Sequence, residues 1–350
     1  MADLKPRDAV LRMAAYHPPT DGREGKLRLD FNENAVGCSP AVIAALHEFT
    51  RTTALPVYPE YGTARRDLST HFGVSQDEIL LTNGTDEAIQ VLVNTFVDAG
   101  DEVLLLKPSY AMYRFYAELA GAAVGEVEYL ESSLDFPAEA LLAAVRPDTK
   151  AILLANPNNP TGSTTSLDVI RAILDRAPQT AVLVDEAYVD FCGLTALPLI
   201  STWPNLFVCR TFSKAYGLAA MRLGCMFAQA GNIALLRKAQ SPYSVNALAA
   251  VAARAAIQDR DYVSSYVAQV VAARDSIITG LTDLGIPTYP SQANFVLFRA
   301  GERAVPLRDE LRRRGVLVRD RSADIAGCVR VTCGTPEQAG RFLDEMKKLW

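Results

Sequence analysis

An α/β fold is predicted, with a large domain built on a mostly parallel sheet flanked by helices and a smaller α+β domain after it. Three observations predict it. Five short apolar runs recur between residues 79 and 209, each leading into a polar loop and then a helical pattern, which is the rhythm of a strand–loop–helix fold. An alanine- and valine-rich helical stretch over 244–284 stops at Gly285-Ile286-Pro287, a punctuation that marks the bridge to a second unit. A chain of 350 residues is also long for one core, so one large and one smaller domain is the natural division.

Residues 1–35 are irregular, with Pro18-Pro19 and then Leu27-Arg28-Leu29-Asp30-Phe31-Asn32-Glu33-Asn34. They read as an arm that joins the small domain. Ser39-Pro40 opens a helix, serine as cap and proline in the first turn. Val57-Tyr58-Pro59-Glu60-Tyr61-Gly62 is a turn-rich loop before another helix. The large domain is expected over 36–243, and its strands are the apolar runs Ile79-Leu80-Leu81, Val103-Leu104-Leu105-Leu106, Ala151-Ile152-Leu153-Leu154, Ala181-Val182-Leu183-Val184 and Leu206-Phe207-Val208-Cys209. Residues 244–350 supply one long linking helix and the small domain, with strands at 294–298, 315–319 and 328–332 and helices at 306–314 and 336–349.

The polar stretches at the ends of the apolar runs carry the chemistry. The runs lead into Asn83-Gly84-Thr85-Asp86-Glu87, Lys107-Pro108-Ser109-Tyr110, Asn156-Pro157-Asn158-Asn159-Pro160-Thr161-Gly162, Asp185-Glu186-Ala187-Tyr188 and Arg210-Thr211-Phe212-Ser213-Lys214. A parallel sheet points the carboxyl ends of its strands to one edge, where ligands bind. Five polar motifs therefore converge on one crevice. Within it, Lys214 is an amine that, held out of water, adds to an aldehyde. Thr211, Ser213 and Arg222 are donors suited to a phosphate. Asp185, at a strand end, either caps the next turn or pairs with a cation. Tyr113 and Tyr116, at helical spacing, read as packing residues.

Composition narrows the classes. A net charge of −5 with 21% charged residues gives no hint of nucleic-acid binding. No apolar run reaches membrane-spanning length, and Met1-Ala2-Asp3-Leu4-Lys5-Pro6 lacks the apolar core of a signal peptide. Six scattered cysteines without a Cys-x-x-Cys, and three histidines at no ligand spacing, speak for a reduced, cytoplasmic protein without a metal site. Neither Gly-x-Gly-x-x-Gly nor a Gly-x-x-x-x-Gly-Lys loop is present.

Asn159-Pro160-Thr161-Gly162, Asp185-Glu186-Ala187-Tyr188 and Ser213-Lys214-Ala215-Tyr216-Gly217-Leu218, in that order, resemble the fold-type I pyridoxal-phosphate aminotransferases over essentially the whole chain. Asn32-Glu33-Asn34, Pro157-Asn158-Asn159-Pro160-Thr161-Gly162, Arg210-Thr211-Phe212-Ser213-Lys214 and Arg330-Val331-Thr332-Cys333-Gly334-Thr335 are similar to the histidinol-phosphate branch of that family. The resemblance implies pyridoxal 5'-phosphate as cofactor, held by Lys214 as a Schiff base, with Asp185 on the ring nitrogen and Asn159 and Tyr188 on the ring oxygen. It implies a phosphate seat on the N–H groups of Gly84, Thr85 and Asp86, with Thr211, Ser213 and Arg222 beside them. It implies Tyr110 stacked on the ring and Tyr58 reaching in from the other subunit of a homodimer with shared active sites.

On the substrate side the resemblance implies Tyr16, Asn34, Arg319 and Arg330, the two arginines suiting a dianionic group. The implied substrates are histidinol phosphate with glutamate or 2-oxoglutarate. Departures from the pattern fall here: Ala15-Tyr16-His17-Pro18-Pro19 in the arm, Ala35-Val36-Gly37-Cys38 after Asn34, and a short loop between Arg319 and Arg330. The alternatives are an aromatic amino-acid aminotransferase and, as another reaction class, a phospho-amino-acid decarboxylase on the same scaffold.

Overall fold

The computed structural model describes residues 4–15, 21–52, 54–130 and 132–350. In chain order its strands are β1 (Leu27–Arg28), β2 (Ile79–Thr82), β3 (Glu102–Lys107), β4 (Ala123–Glu128), β5 (Thr149–Ala155) and β6 (Ala181–Asp185). Then come β7 (Leu206–Thr211), β8 (Gly224–Phe227), β9 (Phe295–Arg299), β10 (Val316–Leu317), β11 (Arg319–Asp320) and β12 (Cys328–Thr332).

Seven of these form one sheet in the order β2-β8-β7-β6-β5-β3-β4. The pairs among β4, β3, β5, β6 and β7 are parallel, whereas β8 runs against both its neighbours. Being antiparallel to β8, β2 points the same way as β7. All five predicted apolar runs are thus strands that end at the same edge. Both faces of the sheet are covered: Leu80, Val103, Leu105, Leu153, Leu183 and Phe207 pack into one apolar layer, and Leu104, Ile152, Leu154, Val182, Val184 and Val208 into the other. This two-sided burial is why β6 reads as an unbroken apolar run instead of an alternating one.

Two strands of the sheet were not among the predicted runs. The edge strand β4 alternates charged and small residues because one flank faces solvent, and β8 is only four residues long. A second difference concerns the bridge, which is two helices, Ala247–Gln258 and Arg260–Asp283, and not one. Asp259 leaves helical geometry between them (φ −92°, ψ 65°) and its carboxylate caps Tyr262 N–H of the second helix. The alanine-rich periodicity runs straight across that joint.

A smaller antiparallel sheet orders β11-β12-β9, and the expected strand at 315–319 splits between two pairings. Val316–Leu317 pairs in parallel with Leu27–Arg28, while Arg319–Asp320 pairs with β12. The arm continues past β1 against this sheet, with Asn32 N–H donating to Thr332 Oγ1 at 3.0 Å. No helix among the described residues is long and apolar enough to cross a membrane.

Candidate active site

Asp185 closes β6 at the edge where the parallel strands end. Its carboxylate is buried and accepts from Tyr113 Oη at 2.9 Å and from the Ala187 N–H at 3.0 Å. Burial raises its pKa to about 6, against the pull of those two donors. No salt bridge joins it to any described residue. A buried carboxylate with no cation is costly, so the site is built to receive one.

Lys214 comes after β7 in a loop pinned by its neighbours. Arg210 donates to the buried Glu186 at 2.9 Å, and Ser213 N–H donates to Thr211 Oγ1 at 3.1 Å. The half-buried Lys214 amine donates to Phe31 O of the arm at 3.3 Å and lies 5.7 Å from the centre of the Tyr188 ring. It has no carboxylate partner among the described residues. Tyr188 itself is buried, and its hydroxyl accepts from Asn32 Nδ2 at 3.0 Å and Asn159 Nδ2 at 3.3 Å. Asn159 in turn accepts from Arg330 Nη1 at 2.5 Å. An amine, a phenol, two amides and a guanidinium therefore form one connected cluster beside the parallel-strand ends.

The helix Gly84–Phe96 starts at this edge with no side-chain cap on its first turn. Among the described residues the N–H groups of Gly84, Thr85 and Asp86 have no acceptor, which makes this turn an anion seat with the helix dipole behind it. Gly84 takes φ +75°, and a Cβ there would fall 2.7 Å from Arg222 Nη2. The positive φ is what favours glycine here, since the end of the Arg222 side chain could swing aside. Gly224 packs as closely from β8, its would-be Cβ 2.8 Å from the Gly84 carbonyl carbon. Arg222 donates to Asp86 Oδ2 at 3.1 Å and Tyr110 Oη to Asp86 Oδ1 at 2.9 Å, so one carboxylate orients both. Thr211 stands two strands away in register with Gly224 and Thr82, and its hydroxyl donates to Ser213 Oγ at 2.9 Å.

Arg330, on β12, donates to Asp30 O at 2.9 Å and is buried. Its cross-strand partner in the β11–β12 register is Arg319. Directly opposed residues share a face, so the two guanidinium groups leave the small sheet on the same side. The Arg319 guanidinium lies 5.7 Å from the Phe31 ring, whose other neighbour is Arg23 at 4.3 Å. Arg319 also borders a cavity of about 530 Å³ with Asp30, Arg308 and Arg312.

Not every expected residue joins the cluster. Asn34 spends its side chain on backbone: its amide donates to Ala215 O at 3.1 Å and its oxygen accepts from Val36 and Gly37 N–H. Tyr58 is 72% exposed and stacks on Tyr243 at 4.5 Å between ring centres, touching none of the residues above. Tyr16 lies outside the described residues. Two residues that the sequence reading gave no role in the site do belong. Tyr113, read as packing, is the donor to Asp185; its position in the first turn of the helix that Tyr110 precedes was the available signal. Asn32, buried with φ +55°, is the amide on Tyr188. Its place in the Asn32-Glu33-Asn34 motif was the available signal, but nothing in the motif told its left-handed backbone or its partner.

A planar cofactor with a basic ring nitrogen, an aldehyde and a phosphate arm fits this donor set: a buried carboxylate lacking a cation, an amine lacking a carboxylate, a phenol–amide pair and an uncapped helix start with an arginine beside it.

A family model described as aminotransferase class I and II matches residues 24–346. The histidinol-phosphate aminotransferase of Symbiobacterium thermophilum is 39% identical over 356 residues, covering 97% of each chain. The solved histidinol-phosphate aminotransferase of Sinorhizobium meliloti, in complex with pyridoxal-5'-phosphate, superposes with a TM-score of 0.89 at 26% identity, covering 100% of this chain and 99% of that one. The L-threonine-O-3-phosphate decarboxylase of Porphyromonas gingivalis superposes with a TM-score of 0.81 at 25% identity, covering 92% and 99%.

Proposed function

Because this chain belongs to the class I and II aminotransferase family, we propose that it transfers the amino group of L-histidinol phosphate to 2-oxoglutarate, yielding imidazole acetol phosphate and glutamate as a step of histidine biosynthesis. The observation that carries the substrate assignment is the cross-strand pair Arg319 and Arg330, taken with full-length likeness to histidinol-phosphate aminotransferases. Two guanidinium groups on one face suit a phosphate monoester in one half-reaction and a second carboxylate in the other.

Pyridoxal 5'-phosphate, when bound, supplies the electron sink that makes the hydrogen on an amine-bearing carbon acidic. The chain's residues do the rest. The Lys214 amine, beside Phe31 O and the Tyr188 ring, would hold the cofactor's aldehyde and would serve as the base that takes the proton from the substrate's amine-bearing carbon. Asp185 keeps the proton on the ring nitrogen, and Tyr113 and Ala187 N–H keep Asp185 oriented. Asn159 and Tyr188 donate to the ring oxygen, and Tyr110 covers the ring face. Gly84, Thr85, Asp86, Thr211, Ser213 and Arg222 take the phosphate. Arg330, tied to Asn159, couples the substrate's anionic end to the group that holds the ring.

The enzyme acts as a homodimer in which Tyr58 reaches the partner's phosphate seat. Support comes from the exposed apolar residues beside it, Leu55 and Val57 lining the same hollow and Tyr243 stacked on its ring, since such residues mark an interaction surface when they cluster. Six unpaired cysteines, four of them buried, suit the cytoplasm.

Titrating the purified holoenzyme with histidinol phosphate, phenylalanine and glutamate, while monitoring the cofactor absorbance, tests the assignment. Histidinol phosphate is expected to convert the cofactor at the lowest concentration. Preference for phenylalanine would instead favour an aromatic aminotransferase. Release of carbon dioxide without a need for 2-oxoglutarate would favour a decarboxylase.

A further inference from the structure

Away from the catalytic cluster, a cavity of about 450 Å³ opens between the end of helix Gly62–Phe72, the turn Val189–Phe191 and the joint of the two bridge helices. That volume is in the range of small-molecule sites. Ile257 and Val267 give it apolar walls, and His71, Asp190 and Arg260 reach it with three different chemistries.

Each of the three has bonding capacity to spare. His71 Nε2 lies 3.1 Å from Tyr216 Oη, but its Nδ1 is buried with no hydrogen-bond partner. Burial, reinforced by Arg260 and Arg210, pushes this imidazole down to about 4, so the ring is neutral near pH 7. Neither Asp190 nor Arg260 makes a salt bridge with any described residue. Arg210, which attracts Asp190, is already committed to Glu186 at 2.9 Å. Arg260 is the first residue of a 24-residue helix, where a cation opposes the helix dipole, so helix stability does not account for it.

A single ligand that answers all three groups carries a cation for the acid, an anion for the arginine, and a body that tolerates both apolar walls and one imidazole. We propose that this cavity binds a free α-amino acid as a zwitterion, its ammonium on Asp190, its carboxylate on Arg260 and its side chain between Ile257 and Val267 beside His71. Tyr216, the partner of His71, stands two residues after Lys214, so the bound amino acid sits against the loop that carries the catalytic amine.

The test is calorimetric titration of borohydride-reduced holoenzyme, in which the cofactor no longer exchanges with free amines, using L-leucine, L-phenylalanine and L-histidine as probes. At least one is expected to bind saturably. Arg260→Ala and Asp190→Asn should each weaken that binding roughly tenfold or more, the loss of one charge-assisted contact, and leave the transamination rate of the unreduced enzyme within about twofold. Arg260 is exposed, so its variant carries the test if Asp190→Asn fails to fold. Absence of saturable binding by all three probes overturns the proposal. So does binding of equal strength in wild type and Arg260→Ala, because the ligand then occupies the catalytic pocket. The readout is binding and not turnover, so its failure leaves the transamination reading standing.

Discussion

The two ends of the candidate site are built differently. The proposed cofactor end is assembled from the strand ends of the seven-stranded sheet, where Asp185, Tyr188, Thr211 and Ser213 are all buried and held by hydrogen bonds to their neighbours. The substrate end is assembled from the arm and the small sheet, and its arginines differ: Arg330 is buried against Asn159, whereas Arg319 is half-buried over Phe31. A site of this kind keeps its chemistry in the rigid part and its selectivity in the part made of short strands and loops.

Changes at the cofactor end should therefore damage every substrate alike, while changes at the substrate end should discriminate. The largest effect is expected for Lys214→Ala. Loss of the amine that moves the proton should lower kcat by on the order of 10³-fold or more for both half-reactions, measured in single turnovers. Asp185→Asn keeps the shape and removes the charge, and should cost roughly 10²–10³-fold in kcat together with cofactor affinity measured by dialysis equilibrium. An intermediate effect is expected across the divide: Arg319→Ala should raise KM for histidinol phosphate about 10- to 100-fold, the worth of a charge-assisted contact, with phenylalanine changed less than about twofold. Equal losses on both substrates would break the comparison.

The smallest effect sharpens it from the stability side. Burial raises Asp185 from 3.8 to about 6 in the folded chain, so between those values the native state binds more protons than the unfolded one. Stability of the cofactor-free protein must then fall as pH rises from about 4 to 6, by an amount on the order of 3 kcal/mol. Asp185→Asn should remove that part of the slope in urea unfolding. Tyr113→Phe should carry the fall on to higher pH, because losing a donor of about 1 kcal/mol raises the carboxyl further. A slope unchanged by either variant would mean that Asp185 is not the buried acid described here.

The same contrast governs what could be read from sequence. The five strand-end motifs were legible because a parallel sheet gathers its carboxyl ends whatever the loops do, and each apolar run is a strand of the sheet. Strand β4 was not, since an edge strand carrying Glu126 and Glu128 has no apolar run. The joint at Asp259 was hidden because alanine continues the helical period on one side and valine on the other, while one cap ends it. Residues whose roles depend on long-range contacts escaped as well. Asn32 meets Tyr188 across 156 positions and Tyr113 meets Asp185 across 72. Local spacing and motif mark both positions, but nothing local tells which distant group each one meets.

On the proposed reading, the amine at position 214 carries the cofactor, next to the carboxylate of β6. Borohydride reduction of the holoenzyme, then peptide mass mapping, tests it directly. The added mass of the reduced cofactor is expected on the peptide containing Lys214. The same mass on another lysine, or on none, would contradict it.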